Sequence, residues 1–136
     1  MKSLRLAGPV TVLTFAALAL SACDKPIEAP YTTGTCYQVV FLDKDGKTAK
    51  FNVVSQGRPN LESCAASLEG MRIHFLQMGG DQTEIIGAYQ GNFLFLNPYG
   101  VFTSPSLTSA RYPALVRTGD GRLVVPGAVE QQTQGQ

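Results

Sequence analysis

From residue 36 onward, apolar and polar positions alternate in short runs that break at turn-forming residues, the period-two signature of β-strands. "CYQVVFLDKDGKTAKFNVV" places two β-branched and aromatic runs around Asp43-Lys44-Asp45-Gly46, which predicts a hairpin. In its first run Cys36, Gln38, Val40 and Leu42 point one way and Tyr37, Val39, Phe41 and Asp43 the other. Both sets carry bulk, so this strand belongs inside a sheet rather than at its edge. The period then changes. Leu61, Cys64, Ala65 and Leu68 fall on one helical stripe, with Asn60 as a cap, Glu62 in the first turn and Gly70 as the expected stop. Ser63, Ala66, Ser67 and Glu69 are expected on the wet side or flank of that helix.

After Gly70, "MRIHFLQM" alternates again and predicts a strand running to Gly79-Gly80-Asp81, with Arg72 and His74 on one side; continuation of the helix is the competing reading, against which Gly70 and the β-rich composition argue. "TEIIGAYQGNFLFLNPYG" gives two strands around Gln90-Gly91-Asn92 and closes on the turn tetrapeptide Asn97-Pro98-Tyr99-Gly100. Phe93-Leu94-Phe95-Leu96 lacks alternation, as expected of a strand buried on both faces. The Ser, Thr and Pro content of residues 101–110 predicts a loop, and "ALVRTGDGRLVVPG" a last hairpin around Gly119-Asp120-Gly121. These elements define an α+β domain: an antiparallel sheet of about five to seven strands with one helix packed on it, a closed or half-closed barrel being the alternative.

The front of the chain follows other rules. Lys2 and Arg5 precede an apolar run from Leu6 to Leu20, interrupted at Gly8-Pro9 and shorter than the roughly 20 residues a permanent span requires. It reads as a targeting segment. The junction Leu20-Ser21-Ala22-Cys23 resembles the lipobox of bacterial lipoproteins, a leucine, two small residues and a cysteine. The resemblance covers the leader and junction only, and implies cleavage before Cys23, a diacylglyceryl group on its sulfur and acylation, such as palmitate, of its new amino terminus. An ordinary secretory leader cut after Ala22 is the competing reading. Asp24 after the cysteine resembles an inner-membrane retention signal, while the adjoining Lys25 leaves inner and outer membrane both open.

The expected organisation is a signal peptide over 1–22, a lipidated end and tether over 23–35, one domain over 36–127, and a polar, Gln-rich, disordered tail over 128–136. An exported chain enters an oxidising compartment, where paired cysteines persist. With Cys23 assigned to lipid, Cys36 is expected to bridge Cys64; two reduced thiols, one of them nucleophilic, are the alternative. Loss of Lys2 and Arg5 takes the formal charge from +1 to about −1, which gives no footprint for nucleic acid. The membrane contact is thus expected to come from lipid.

Reactive constellations are sparse in the pattern. Asp43-Lys44-Asp45-Gly46 opens like a calcium loop, but its glycine stands at position 4 rather than 6 and Val54 occupies the place of the bidentate acid. His74 is the one histidine, expected at the surface, and Glu62, Glu69 and Glu84 have no spacing that selects a catalytic pair. No cofactor or metal is expected. The aromatic and guanidinium side chains of Tyr99, Phe102, Arg111 and Tyr112 are types enriched where proteins meet, although covering the core of a small domain that lacks tryptophan accounts for them more simply, and open sheet edges offer backbone groups to a partner strand. The expected function is therefore a non-enzymatic, lipid-anchored envelope protein, facing the periplasm as an accessory or scaffold subunit of a larger complex. A small periplasmic module binding a ligand, a glycan or an enzyme as an inhibitor does is the alternative.

Overall fold

The computed structural model describes residues 23–127; the expected leader over 1–22 and tail over 128–136 lie outside the described residues. Seven strands form one antiparallel sheet: β1 (Cys36–Phe41), β2 (Ala49–Ser55), β3 (Ile85–Tyr89), β4 (Asn92–Asn97), β5 (Gly100–Ser104), β6 (Tyr112–Arg117) and β7 (Leu123–Val124). Their spatial order is β2-β1-β3-β4-β5-β6-β7, and helix α1 (Leu61–Gln77) lies between β2 and β3 in the chain. This is the expected α+β class, at the upper end of the expected strand number. β1 lies inside the sheet, and β4 has three strands on each side.

Burial on both faces of β4 follows from its position. Leu94 and Leu96 join Cys36, Ile85, Tyr89, Val101 and Leu115 beneath the Cys64, Ala65 and Leu68 stripe of α1. Phe93 and Phe95 point the opposite way and form a second core with Val39 and Ala88. No helix among the described residues covers that face. Ile27 and Ala29 cover part of it, and Leu107 from the β5–β6 connection covers more. The stretch expected as a free tether is therefore held against the sheet: Gly91 N donates to Pro30 O at 3.0 Å, and Lys47 Nζ meets Asp24 Oδ2 at 2.9 Å.

Two elements differ from the sequence expectation. Residues 71–77 continue α1 instead of forming a strand, so Gly70 does not stop the helix. Gly70 is exposed with open space beside it, and its cost of about 1 kcal/mol relative to alanine is offset by the packing of Met71 and by buried contacts of Arg72. Termination falls at Met78-Gly79-Gly80, whose amides bond to His74 O, Leu76 O and Phe75 O, each at 3.1 Å. Asn60 caps the other end as expected, its Oδ1 accepting from Ser63 N at 2.9 Å. The second difference is β5, expected as loop. Val101, Phe102, Thr103 and Ser104 pair in register with Leu96, Phe95, Leu94 and Phe93, so pairing with the central strand overrides their composition.

The hairpins obey their turn residues. β1–β2 turns through residues 42–48, with Leu42 N donating to Thr48 O at 2.9 Å and Lys47 N to Asp43 Oδ1 at 2.8 Å. β3–β4 closes on Gln90 and Gly91, both left-handed at φ 44° and 81°, the combination that matches the twist of a two-residue hairpin. Gly87 in β3 serves close approach instead: a Cβ there would strike the Leu68 side chain of α1 and come within 2.9 Å of Tyr37 O. Gly87→Ala should consequently lower stability by about 1–3 kcal/mol, read as a drop in Tm of roughly 4–8 °C per kcal/mol. An unchanged Tm would mean that helix and sheet are not packed this closely.

Candidate functional site

The three cysteines divide between two roles. Cys36, the first residue of β1, and Cys64, in the first turn of α1, form a disulfide with 5.3 Å between their Cα atoms, and both are fully buried. The reduced-thiol alternative falls with this bond. Cys23 is a free, exposed thiol at the head of the segment that carries Ile27 and Ala29.

Tyr99, Phe102, Arg111 and Tyr112 do not form a single patch. Tyr99 is exposed on the β4–β5 turn, whereas Tyr112 stands opposite Thr103 toward the other end of β5. Phe102 is half-buried in the second core, on the face away from Tyr112. Arg111 also serves that face, with its guanidinium carbon 3.6 Å from the centre of the Phe95 ring and Nη1 3.1 Å from Glu84 Oε2. It closes the open side of the core by cation–π contact.

The polar cluster that sequence reasoning missed lies in the second half of the helix, from Glu69 to Arg72. Arg72 donates from Nε and Nη2 to the two carboxylate oxygens of Glu69, each at 2.9 Å, and from Nη1 to Thr83 O at 3.3 Å. Arg117 of β6 meets the same carboxylate at 2.9 Å. Its other donors reach Pro98 O at 3.0 Å, Gly121 O at 3.0 Å and Asn97 O at 3.1 Å. One guanidinium thus joins α1, the β4–β5 turn and the β6–β7 turn. Glu69, expected on the wet side, is buried, and so is Arg72. Arg72 and His74, expected to share a side, diverge by two helical positions, leaving His74 exposed. The Glu69-x-x-Arg72 spacing was the available signal, but it has meaning only if the helix passes Gly70.

Clefts open on the surface of the described residues, and two are of note. One, of about 190 Å³, is mostly apolar and lies between Asp24–Ile27, the β1–β2 turn at Gly46-Lys47, and Ser106-Leu107-Thr108. The other, of about 360 Å³, lies where β1 and β3 part: they pair from Cys36 to Gln38, then separate, leaving Val39–Phe41 without ladder partners on the side that faces Ile85 and Ile86. Among the described residues no group of three or more His, Cys, Asp or Glu side chains could hold a metal ion, and no helix is long and apolar enough to cross a membrane. Comparison with protein-family models, curated proteins and solved structures returns no match for this chain.

Burial of Glu69 opposes its ionisation, but the hydrogen bonds and charge of Arg72, and then Arg117, outweigh it and hold the carboxyl below its ordinary value of 4.5. A carboxyl with a depressed folded-state pKa adds stability that is complete above 4.5 and is lost as pH falls through the folded value. Glu69→Gln should destabilise the protein at pH 7 by roughly 3 kcal/mol, since it leaves the buried Arg72 guanidinium and the half-buried Arg117 guanidinium without their anion. The gap between variant and wild-type Tm should narrow as the pH falls below about 4.5. A gap that stays constant from pH 7 to pH 3 would show that the carboxylate charge is not what holds this cluster.

Proposed function

We propose that the protein is a lipid-anchored bacterial cell-envelope protein with a non-enzymatic role, an accessory or scaffold subunit that docks a larger envelope assembly on the periplasmic side. The division of the cysteines carries this reading: the fold uses Cys36 and Cys64, and Cys23, at the lipobox-like junction, is left exposed and available to acylation. Burial of the bridge also supports it, because a disulfide persists in the oxidising compartment to which such a signal directs a chain.

The two sheet edges suggest where a partner would dock. β7 is two residues long and offers little backbone, whereas β2 is an edge of seven residues with Val53 exposed upon it. Long edges with unpaired amides and carbonyls accept an extended segment by strand addition, the backbone supplying affinity and alternate side chains specificity. Lys50, also exposed on β2, discourages indiscriminate pairing.

Cys23→Ser should move the protein out of the membrane fraction while leaving its Tm unchanged, because Cys23 lies outside both cores. Mild crosslinking of the anchored wild type, followed by affinity recovery, should return a reproducible protein partner, and Val53→Lys should lose it without lowering Tm. Membrane retention of the Cys23→Ser protein would contradict the anchor. Repeated recovery of the wild type as a lone monomer would contradict the docking role.

A further inference from the structure

We infer that one end of the sheet, carrying Leu42, Met78 and Tyr99, rests directly on the phospholipid surface. The inference builds on the reading of Cys23 as lipidated and adds an orientation to it. Antiparallel order brings these residues to one end: the β1–β2 turn, the connection from α1 into β3 and the β4–β5 turn all lie there, because β1 and β4 finish where β3 and β5 begin.

The anchor leaves from that same end. Ile27 and Ala29 are packed on the second core, and Pro30 is bonded to the β3–β4 turn at the far end, so the segment before β1 runs the length of the sheet. It delivers Asp24–Ile27 beside Gly46 and Lys47 of the β1–β2 turn, with Asp24 paired to Lys47. Cys23 stands four residues before Ile27, a reach of at most about 14 Å even fully extended. An acyl group on Cys23 would therefore hold this end, and no other, against the bilayer.

The exposed side chains match such a surface. Leu42 is 64% exposed, Met78 69% and Tyr99 81%, with Phe41 and Phe75 partly exposed at the same end. Large apolar side chains left in water add affinity when they enter the headgroup region, and tyrosine suits that boundary, where its ring is buried and its hydroxyl stays wet. Lys25, Lys44, Lys47 and Arg122 are interspersed with Asp24, Asp43, Asp45, Asp81 and Asp120, so charge is nearly balanced and contact does not depend on anionic lipid.

The test uses the full chain, processed and purified from a bacterial membrane, with an environment-sensitive fluorescent amino acid at position 42, 78 or, at the far end of the sheet, 92. The protein is incorporated into phosphatidylcholine vesicles whose acyl chains carry bromine, and flotation reports anchoring on the same sample. The expected result is flotation with quenching at least threefold stronger at positions 42 and 78 than at 92, unchanged by 1 M salt or by added phosphatidylglycerol. Flotation with equal quenching at all three positions, or stronger quenching at 92, would overturn the orientation and leave the anchor standing. Failure to float would overturn both. Leu42→Ser with Tyr99→Ser should retain the fold, both side chains being exposed, and reduce quenching at position 78.

Discussion

The bond from Cys36 to Cys64 fixes the relation between the helix and the sheet on which the rest of the domain depends. It ties the first residue of β1 to the first turn of α1 across a chain separation of 28 residues, which in the loop-closure view removes about 3–4 kcal/mol of unfolded-state entropy. In a domain this small that is a large part of the total. The bond also sets the phase of the helix: with Cys64 turned to the sheet, Leu68 lands on Gly87 and Glu69 and Arg72 arrive beneath β6.

From the middle of the helix onward the fastening is polar rather than covalent. Glu69 is shared by Arg72 and Arg117, and Arg117 also ties down the carbonyls of two turns, so the ends of β4 and β6 are joined to α1 through one side chain. The helix is thus held at its first turn and at its middle, and packed between the two. Among the described residues the other face of the sheet has no second helix and is closed piecemeal, by Ile27 and Ala29 before β1, by Leu107 and by Arg111 over Phe95. Covering that face with the segment that follows Cys23 couples the fold to the proposed anchor, since the same residues that complete the core decide where the thiol emerges.

Features written in adjacent residues were legible in the sequence. The turns at Asp43–Gly46, Gln90–Asn92 and Gly119–Gly121, the Asn60 cap and the double burial of Phe93–Leu96 all follow from local chemistry, and the cysteine pairing follows from counting three thiols. What was misread depends on distant partners. β5 is a strand because β4 offers it a ladder, and α1 passes Gly70 because Glu69 and Arg72 find Arg117, far along the chain. The same limit hid the geometry of the candidate surfaces. Tyr99, Phe102, Arg111 and Tyr112 are neighbours in sequence yet are divided between the ends and faces of β5, while Leu42, Met78 and Tyr99 are brought to one end only by the antiparallel topology.

On the proposed reading the three cysteines form a closed set, two committed to the fold and one to the membrane. Its most direct test is the intact mass of the protein recovered from a bacterial membrane, measured after treatment with an alkylating agent before and after reduction. The expected species begins at Cys23, carries the added mass of acyl chains and takes up no alkyl group until reduced, then takes up two. A mass without lipid, or alkylation of Cys36 and Cys64 in the unreduced protein, would contradict it.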